Sequence, residues 1–427
     1  MLRKAIEIVF IILSLYPIIG AICWIIGALC YKFLYRHDIK EFKELDASEE
    51  PFVTIMVPAH NEEVMIEQTI NYLMNEIKYT QYEVLVMDDG SSDRTPEILA
   101  RLCKVYKNLR VVRIEKNKGK AHAFNIGLAF AKGEFILSND ADTVPEPDAL
   151  WKYMNYFMSE EGRNIAAVTA NMDVQNRSKL IEKSQTVEFS SIVGAIKRGQ
   201  MGVLGTMYAY SGANTMYRKT AIIDAGLFRQ DRATEDISIC WDQQFGGWRS
   251  IFAPEIMFYM NVPSSLKMLY RQRKRWAQGG IEVWLTNFKK TISHPIKNMS
   301  QIIMLIDQTY SIVWSFLYVI TMVIFNLAAL YFIMTQNYIQ VLYMFEISFI
   351  YITFQMIAGL GQLIIALILD NKGRKLKYLL FAPFYMLLFW KINALTIVMT
   401  FIPAIKTILG FGSGVWKSPD RVKMMNS

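Results

Sequence analysis

Residues 53–63, VTIMVPAHNEE, begin with a short apolar run and end in polar and acidic residues. The pattern recurs in residues 83–93, EVLVMDDGSSD, and in residues 134–142, EFILSNDAD. Short apolar runs that end in Pro, Gly, Asn or Asp are typical of buried strands, and the segments between them have apolar residues at helical spacing. This alternation predicts an α/β domain, with a mostly parallel sheet and flanking helices. Strands are predicted at residues 53–57, 83–87, 109–114 and 134–137.

Two pairs of aspartates follow predicted strands, at the edge of a parallel sheet where ligands usually bind. Asp88 and Asp89 end the second strand, and Asp140 and Asp142 follow the fourth. On an extended segment Asp140 and Asp142 point the same way, and carboxylates suit Mg²⁺ or Mn²⁺ ions that bridge to phosphate oxygens. In a binding role, Asp89 accepts hydrogen bonds from a nucleobase or ribose. The structural alternative is a pair of strand-ending turns, in which Asp is common.

Lys120 is a candidate for binding a diphosphate, because it begins a predicted helix whose dipole favours anions. As an isolated lysine, it is equally typical of a solvated surface. Gly119-Lys120 lacks the rest of a Walker loop, and no G-x-G-x-x-G follows the first strand. A dinucleotide cofactor is therefore not indicated.

The acidic stretch Thr234-Glu235-Asp236 precedes an apolar segment at 237–241. An acidic pair in this position usually caps a helix. The functional alternative is a general base, which a hydroxyl group needs in order to act as a nucleophile.

The densest group of polar residues is QRKRW, residues 272–276. On a helix, Gln272, Arg275 and Trp276 share one face. Guanidinium groups bind diphosphate in bidentate fashion, and an indole offers a flat surface on which a ring stacks. The alternative is a basic amphipathic helix on a membrane surface, with Arg273 and Lys274 facing the lipid.

Four apolar segments lie towards the two ends of the chain, which has 427 residues of which 53% are hydrophobic. Each segment is long enough to cross a bilayer as a helix. The loop at 370–377 carries four basic residues, so the positive-inside rule places it in the cytosol, and the large domain with it. Residues 291–310 include an amphipathic stretch that is predicted to lie along the membrane interface. The predicted spans are residues 5–33, 311–334, 342–369 and 379–402.

A location at the bilayer also accounts for the net charge of the chain and for the polar residues inside its predicted spans. The formal net charge of +8 indicates contact with anionic lipid rather than nucleic acid, because no interleaved basic and aromatic motif is present. The four cysteines show no metal-binding spacing, which favours a reduced cytosolic domain. Polar residues inside predicted spans either line a cavity or pack between helices. They are Glu346, Gln355, Gln362 and Lys391.

In chain order, Asp89-Gly90-Ser91, Asp140-Ala141-Asp142, Thr234-Glu235-Asp236 and QRKRW resemble the four signatures of processive family 2 glycosyltransferases. This family includes cellulose, chitin and hyaluronan synthases, and its catalytic domain has the GT-A fold. Stretches that extend beyond the signatures, at 188–192, 275–280 and 418–421, resemble bacterial poly-β-1,6-N-acetylglucosamine synthases. The resemblance covers nearly the whole chain.

The resemblance implies a role for each matching residue. Asp89 holds the uridine, Lys120 and Arg275 bind the diphosphate, and Asp236 is the catalytic base. Asp142, with Asp140, binds a Mg²⁺ or Mn²⁺ ion and, through it, the donor. The acceptor end of the polymer is implied to contact Gln272, Trp276, Ser211, Gly212 and Glu235.

The implied activity is inverting polymerisation of N-acetylglucosamine from UDP-N-acetylglucosamine, with export of the polymer across a bacterial plasma membrane. A small membrane accessory subunit is implied as a partner. Residues 169–173 and 60–61 depart from the usual pattern of the subgroup, which leaves hyaluronan, chitin or cellulose as alternative products. A non-processive enzyme and a catalytically silent channel subunit are further alternatives. The chain divides into residues 1–36 (N-terminal membrane helix), 50–290 (cytosolic GT-A domain), 291–310 (interfacial helix) and 311–427 (channel region of about three spans, with a tail whose side is left open).

Overall fold

The alternating pattern produces one mixed sheet in the computed structural model, which describes residues 2–34 and 42–411. Its strands are β1 (Val53–Ala59), β2 (Tyr82–Asp89), β3 (Leu109–Ile114), β4 (Phe135–Asn139), β5 (Thr143–Pro145), β6 (Ile165–Val174), β7 (Asn214–Arg218) and β8 (Arg249–Met260). Their order is β3-β2-β1-β4-β7-β6-β8-β5. The pairs β1–β2, β1–β4, β2–β3 and β6–β8 are parallel, whereas β7 is antiparallel to both of its neighbours. The predicted mostly parallel sheet is confirmed.

The four predicted strands correspond to β1 to β4. Every residue of β1 and β2 is buried, which explains why these strands have continuous apolar runs instead of alternating polar and apolar residues. In the register of this pair, Ala59 lies opposite Asp88. The carboxyl ends of the two strands therefore meet at one edge of the sheet, where the acidic residues begin.

Nine α-helices, one 3₁₀ helix (Glu160–Asn164) and one π-helical turn belong to the part of the described chain that surrounds the sheet. The helices are α2 (Ile66–Asn75), α3 (Thr95–Val105), α4 (Lys120–Phe130), α5 (Ala149–Phe157), α6 (Leu180–Phe189), α7 (Ile196–Leu204), α8 (Lys219–Asp224), α9 (Glu235–Phe245) and α10 (Leu266–Ser293). The π-helical turn, Ser190–Ala195, joins α6 to α7 without a break. Such turns often occur at functional sites.

Four regions of the described chain are long and apolar enough to cross a membrane: Glu7–Phe33, Met299–Met334, Tyr338–Gly373 and Leu376–Ile408. Each contains one of the predicted spans almost completely. The helices are α1 (Leu2–Phe33), α11 (Met299–Met334), α12 (Tyr338–Leu369), α13 (Ala382–Phe384) and α14 (Trp390–Ile408). Before α14, the fourth region passes through a 3₁₀ turn and a π-helical turn. The predicted C-terminal tail, with the stretch at 418–421, lies outside the described residues.

The predicted separate helix at 291–310 is wrong in its boundaries. Its first residues end α10 at Ser293, and residues from Met299 onward belong to α11, which continues into the first C-terminal span. The amphipathic stretch is the beginning of a longer helix, because no breaking residue separates it from the apolar segment that follows.

The basic loop at 370–377 does not expose all of its charges. Lys372, Arg374 and Lys377 are exposed, but Lys375 is buried and ion-paired with Asp370 and Asp173. The loop therefore contacts the sheet domain, and the two lie on the same side of any bilayer that the helices cross.

The polar residues of the predicted spans divide into two groups. Gln355 donates to Ser14 of α1 at 3.0 Å, and Gln362 donates to Ser191 of the π-helical turn at 3.2 Å. These two side chains hold helices together. Glu346 and Lys391 are exposed on the helix surface.

Candidate active site

Asp89, at the carboxyl end of β2, has only 1% of its surface exposed. Its carboxylate accepts hydrogen bonds from the backbone N–H groups of Lys118 and Gly119, at 3.2 and 3.0 Å. Burial raises the pKa of Asp89, and these two hydrogen bonds oppose the rise. Because Gly119 directly precedes α4, the contact fixes the end of β2 against the beginning of that helix.

Lys120, the first residue of α4, is buried and surrounded by acceptors. Its Nζ atom lies 2.6 Å from Asp140 Oδ1, 3.2 Å from Glu235 Oε1 and 3.1 Å from the Gly212 carbonyl oxygen. Burial disfavours the ammonium, but the neighbouring carboxylates of Asp140 and Glu235 outweigh it and raise the pKa of Lys120. The sequence predicts a lysine facing a diphosphate, and the structure places its charge among acidic residues.

Asp236 follows Glu235 in the first turn of α9. Its Oδ2 atom accepts a hydrogen bond from the Gly212 N–H at 2.9 Å. Burial and the adjacent Glu235 raise the pKa of Asp236 to about 6, although Lys120 and Arg275 oppose the rise. A carboxylate with such a pKa is suited to accept a proton near neutral pH.

Asp140 and Asp142 lie in a turn between β4 and β5, so the expectation of an extended segment is wrong. The Thr143 N–H donates to the Asp140 carbonyl oxygen at 3.1 Å and closes this turn. The strand β5 begins at Thr143 itself. Asp142 is buried, whereas the Asp140 side chain is partly exposed and paired with Lys120. A cation held by Asp140 therefore competes with the Lys120 ammonium.

No group of three or more His, Cys, Asp or Glu side chains within residues 2–34 and 42–411 is arranged to hold a metal by itself. Mg²⁺ usually binds one or two carboxylates and completes its shell with water and substrate phosphates. The two neighbouring carboxylates, Asp140 and Asp142, fit an ion that is bound together with a diphosphate.

The QRKRW motif lies in the first half of α10, and its second residue is the most buried. Arg273 has 3% of its surface exposed, and its guanidinium contacts Glu188 Oε2 at 2.5 Å and Gln272 Oε1 at 2.9 Å. It also stacks on the Trp276 indole. The alternative interpretation, in which Arg273 belongs to a basic face on the membrane surface, does not hold for this residue, because Glu188 provides a buried partner. Arg275 is close enough to Asp236 to lower the pKa of that carboxyl.

The helix α10 approaches the beginning of α9 most closely at Gly279, and its Glu282 also accepts a hydrogen bond from the Ala233 N–H at 2.8 Å. A Cβ atom at this position would lie 2.0 Å from Thr234 Oγ1, so only glycine permits the contact. The approach fixes α10 against the residue that precedes Glu235 and Asp236.

The 211–214 segment, predicted as part of the acceptor site, lies between these elements. The Ser211 N–H donates to Thr169 Oγ1 at 3.1 Å, and the Gly212 carbonyl accepts from Lys120. Lys197 of α7 donates to Ser211 Oγ at 2.6 Å. The segment is thus attached both to the sheet and to α7.

The structure brings most of the predicted residues into one connected cluster. Asp89 is joined through residues 118–119 to Lys120, and Lys120 contacts Asp140 and Glu235. Gly212 contacts Asp236. Gln272 and Trp276 belong to α10, which approaches the cluster through Arg275 and Gly279. Sequence reasoning missed Glu188 as a partner and Lys197 as a neighbour; the only signal was a glutamate and a lysine in an otherwise mostly apolar or small stretch at 187–197.

Comparison with known proteins identifies the relatives of this arrangement. Residues 54–226 match the model of the glycosyl transferase family 2. A poly-beta-1,6-N-acetyl-D-glucosamine synthase of Staphylococcus epidermidis is 32% identical over 417 residues, which cover 97% of this chain and 98% of that protein. The synthase of the same name from Staphylococcus aureus (strain COL) is 32% identical over 431 residues, covering 96% of this chain and 98% of that protein. The mannosyltransferase PcManGT from Pyrobaculum calidifontis, solved with GDP-Man and Mn²⁺, has the same fold, with a TM-score of 0.59 and 20% identity, over 85% of this chain and 98% of that one.

Proposed function

Because the chain belongs to glycosyl transferase family 2, and its described residues include four regions long and apolar enough to cross a membrane, we propose that it polymerises N-acetylglucosamine from UDP-N-acetylglucosamine. The product is a β-linked, extracellular polymer with β-1,6 linkage, and the reaction is processive and inverting. The observation that carries the proposal is the connected cluster of Asp89, Lys120, Asp140, Glu235 and Asp236 at the carboxyl edge of the sheet, beside the QRKRW helix. Near full-length similarity to poly-β-1,6-N-acetyl-D-glucosamine synthases supports the choice of sugar and linkage.

The donor binds at the ends of β2 and β4. The Asp89 carboxylate uses two acceptor positions for backbone N–H groups and keeps others for the N–H of a uracil ring. Arg275 and Lys120 bind the diphosphate. Asp140 and Asp142 would hold a Mg²⁺ or Mn²⁺ ion, which would neutralise charge on the leaving diphosphate.

Asp236 is the base that takes the proton of the attacking acceptor hydroxyl. The Gly212 N–H donates to its Oδ2 and the Ile237 N–H donates to its Oδ1, both at 2.9 Å, and each oxygen keeps a further lone pair for the acceptor hydroxyl. Its pKa is raised to about 6, which makes Asp236 a stronger base than an ordinary aspartate. It is still ionised at neutral pH and can therefore accept the proton of the hydroxyl. The hydroxyl attacks the anomeric carbon from the face opposite UDP, so the new linkage is β.

The acceptor end lies against Trp276 and Gln272, with Ser211, Gly212 and Glu235 on the other side. An indole stacks on the apolar face of a sugar ring and tolerates sliding, as a processive enzyme requires. The polymer then enters a channel formed by the membrane helices α1, α11, α12 and α14. The catalytic domain is cytosolic, the membrane is the bacterial plasma membrane, and a small membrane subunit assists.

The test is polymer synthesis by the purified protein in lipid nanodiscs, supplied with one radiolabelled UDP-sugar at a time. We expect polymer from UDP-N-acetylglucosamine alone, and complete digestion by a β-1,6-specific hexosaminidase. A polymer that resists this enzyme, or one made from another UDP-sugar, would show that the product is instead of the hyaluronan, chitin or cellulose type. A single transferred sugar would contradict processivity.

The Asp236→Asn variant separates the enzyme from a silent channel subunit. It keeps the size and shape of the side chain, but its amide cannot accept the proton. We expect UDP release to disappear while UDP binding persists. Unchanged polymer secretion by this variant would show that another protein performs the chemistry.

A further inference from the structure

Lys197, in the first turn of α7, is a buried cation with few acceptors around it. Only 7% of its surface is exposed, and within the described chain its single hydrogen bond goes to Ser211 Oγ, at 2.6 Å. An ammonium group has three N–H donors, and buried donors without acceptors are costly. The other two donors of Lys197 have no hydrogen-bond acceptor among the described residues, so oxygen atoms of a bound ligand can satisfy them.

Two other buried lysines have acceptors that compensate their ammonium charge more fully. Lys375 contacts two carboxylates, those of Asp370 at 2.7 Å and Asp173 at 3.1 Å. Lys120 contacts Asp140, Glu235 and a backbone carbonyl. Lys197 instead has one neutral hydroxyl as its hydrogen-bond partner, so it does not fit the role of a structural ion-pair member.

The position of Lys197 links it to the reacting atoms. Ser211 directly precedes Gly212, whose N–H holds Asp236. The Asp236 carboxylate also attracts the Lys197 ammonium: burial lowers the pKa of Lys197 to about 8, and Asp236 opposes the fall. The ammonium thus stays largely protonated at neutral pH, and through Ser211 it is attached to the segment whose Gly212 N–H holds Asp236.

We infer that Lys197 is an acceptor-binding residue, whose ammonium donates hydrogen bonds to an oxygen atom of the sugar that attacks the donor. The inference rests on the proposed function, since it assigns a contact to the same acceptor. Ser211 orients the ammonium, and the sugar oxygen completes its shell. The contact fixes the terminal sugar with its hydroxyl at Asp236, while the donor site at Asp89 and Asp142 is untouched.

The experiment measures the KM for acceptor and donor separately in nanodiscs. The acceptor is a β-1,6-linked N-acetylglucosamine pentamer, and the variants are Lys197→Met, which keeps the length of the side chain, and Lys197→Arg. For Lys197→Met we expect the acceptor KM to rise by about tenfold or more, because a charge-assisted hydrogen bond is lost, with the donor KM within about twofold of wild type. Lys197→Arg restores part of the difference.

The matched control is Lys183→Met on α6, a half-buried lysine whose Nζ lies over Phe381, 5.6 Å from the ring centre. Its acceptor KM should equal that of wild type. If Lys197→Met no longer binds UDP, Lys197→Gln, which keeps a donor for Ser211, takes its place.

The outcomes distinguish the inference from the proposed function. If wild type makes polymer and the acceptor KM of Lys197→Met is unchanged, the inference fails and the proposed function stands. Equal rises in donor and acceptor KM would assign Lys197 a structural role and also overturn the inference. If wild type makes no polymer from UDP-N-acetylglucosamine, both fall together.

Discussion

The Arg273 guanidinium carbon lies 4.1 Å from the ring centre of Trp276, and the same guanidinium is ion-paired with buried Glu188. Arg273 thus fixes the plane of the indole from one side, and Glu188 fixes Arg273. Under the proposed function, the acceptor sugar stacks on the face of Trp276 turned away from Arg273. In that function, the pair positions the indole without touching the sugar.

Variants that remove one or both charges of the Arg273–Glu188 pair distinguish an effect on stability from an effect on acceptor binding. Arg273→Met leaves the Glu188 carboxylate buried and uncompensated, which is expected to destabilise the protein by about 3–5 kcal/mol. The double variant with Glu188→Gln has no buried charge and recovers most of that stability. It still lacks the stacked guanidinium, so we expect shorter polymers with near-normal donor KM. Thermal unfolding and gel analysis of product length check both effects.

A double variant that makes polymer of wild-type length would show that Trp276 needs no partner. Lys274→Met, an exposed neighbour in the same motif, is the control and should change neither measurement.

The pKa of Asp236 predicts the acidic side of the pH profile. A base works only in its ionised form, and Asp236 has a pKa raised to about 6. UDP release should therefore rise as pH increases through about 6 and reach a plateau at higher pH. Lys120 lowers the pKa of Asp236, so Lys120→Met should move the midpoint to higher pH. Initial rates at saturating donor, measured between pH 5 and about 8, give the midpoint.

Lys118→Met is the matched control for this shift, because the Lys118 side chain is exposed and contributes only its backbone N–H to Asp89. Its midpoint should equal that of wild type. A midpoint that stays in place in Lys120→Met would mean that another group is the base.

Local patterns in the sequence predicted the elements that bring the site together. The strands β1, β2 and β4 end where apolar runs change to polar residues, and this change is visible within a few residues. The order of the acidic clusters along the chain then indicated which strand ends carry them. The antiparallel strand β7 was not predicted, because its pairing with β4 joins residues far apart in the chain.

The details that sequence reasoning missed depend on contacts between distant segments. Glu188 and Arg273 are 85 positions apart, and their pairing needs the fold to be known. Lys375 is predicted as a surface charge because Asp173, its partner on β6, belongs to another part of the chain. The alternation expected of a strand does not apply to Asp140 and Asp142, because a turn begins right after β4. In each instance the local rule failed, because a tertiary contact or a change of backbone conformation determined where the side chain lies.

The close contact of α10 with Thr234 predicts that Gly279→Ala abolishes polymer synthesis. The new Cβ would lie 2.0 Å from Thr234 Oγ1 and 2.6 Å from Cγ2, so α10 and the beginning of α9 must move apart. Overpacking of this kind costs about 1–3 kcal/mol, and here it displaces Asp236 and Arg275 from each other. UDP release and product length measure the loss.

Gly280→Ala is the matched control, one position further along α10. There a Cβ would meet its nearest neighbours, Gln308 Nε2 and Tyr208 Oη, at 3.6 Å, an ordinary contact distance. This variant should keep near wild-type activity. Equal activity of the two variants would mean that the α9–α10 contact is not needed for catalysis.

The buried pair of Asp370 and Lys375 predicts how the membrane loop is held on the catalytic domain. Asp370 also accepts from Asn171 Nδ2 and Ser190 Oγ, both at 2.7 Å, so the loop is tied to β6 and to the π-helical turn. Lys375→Met leaves the Asp370 carboxylate buried without its ion-pair partner, whereas Asp173 keeps its ion pair with Arg177. We expect a loss of about 3–5 kcal/mol, seen as a lower unfolding temperature and as faster amide exchange of the 370–377 loop.

Arg374→Met removes a positive charge from the same loop, but this side chain is exposed, so its loss should cost less than about 1 kcal/mol. The contrast between the two variants tests whether the buried pair or the total charge of the loop holds it in place. If both variants lower the unfolding temperature equally, attraction to anionic lipid would explain the attachment better than the contact with Asp370. Repeating the measurement in nanodiscs of neutral lipid decides between them, because only the lipid explanation predicts that the effect disappears.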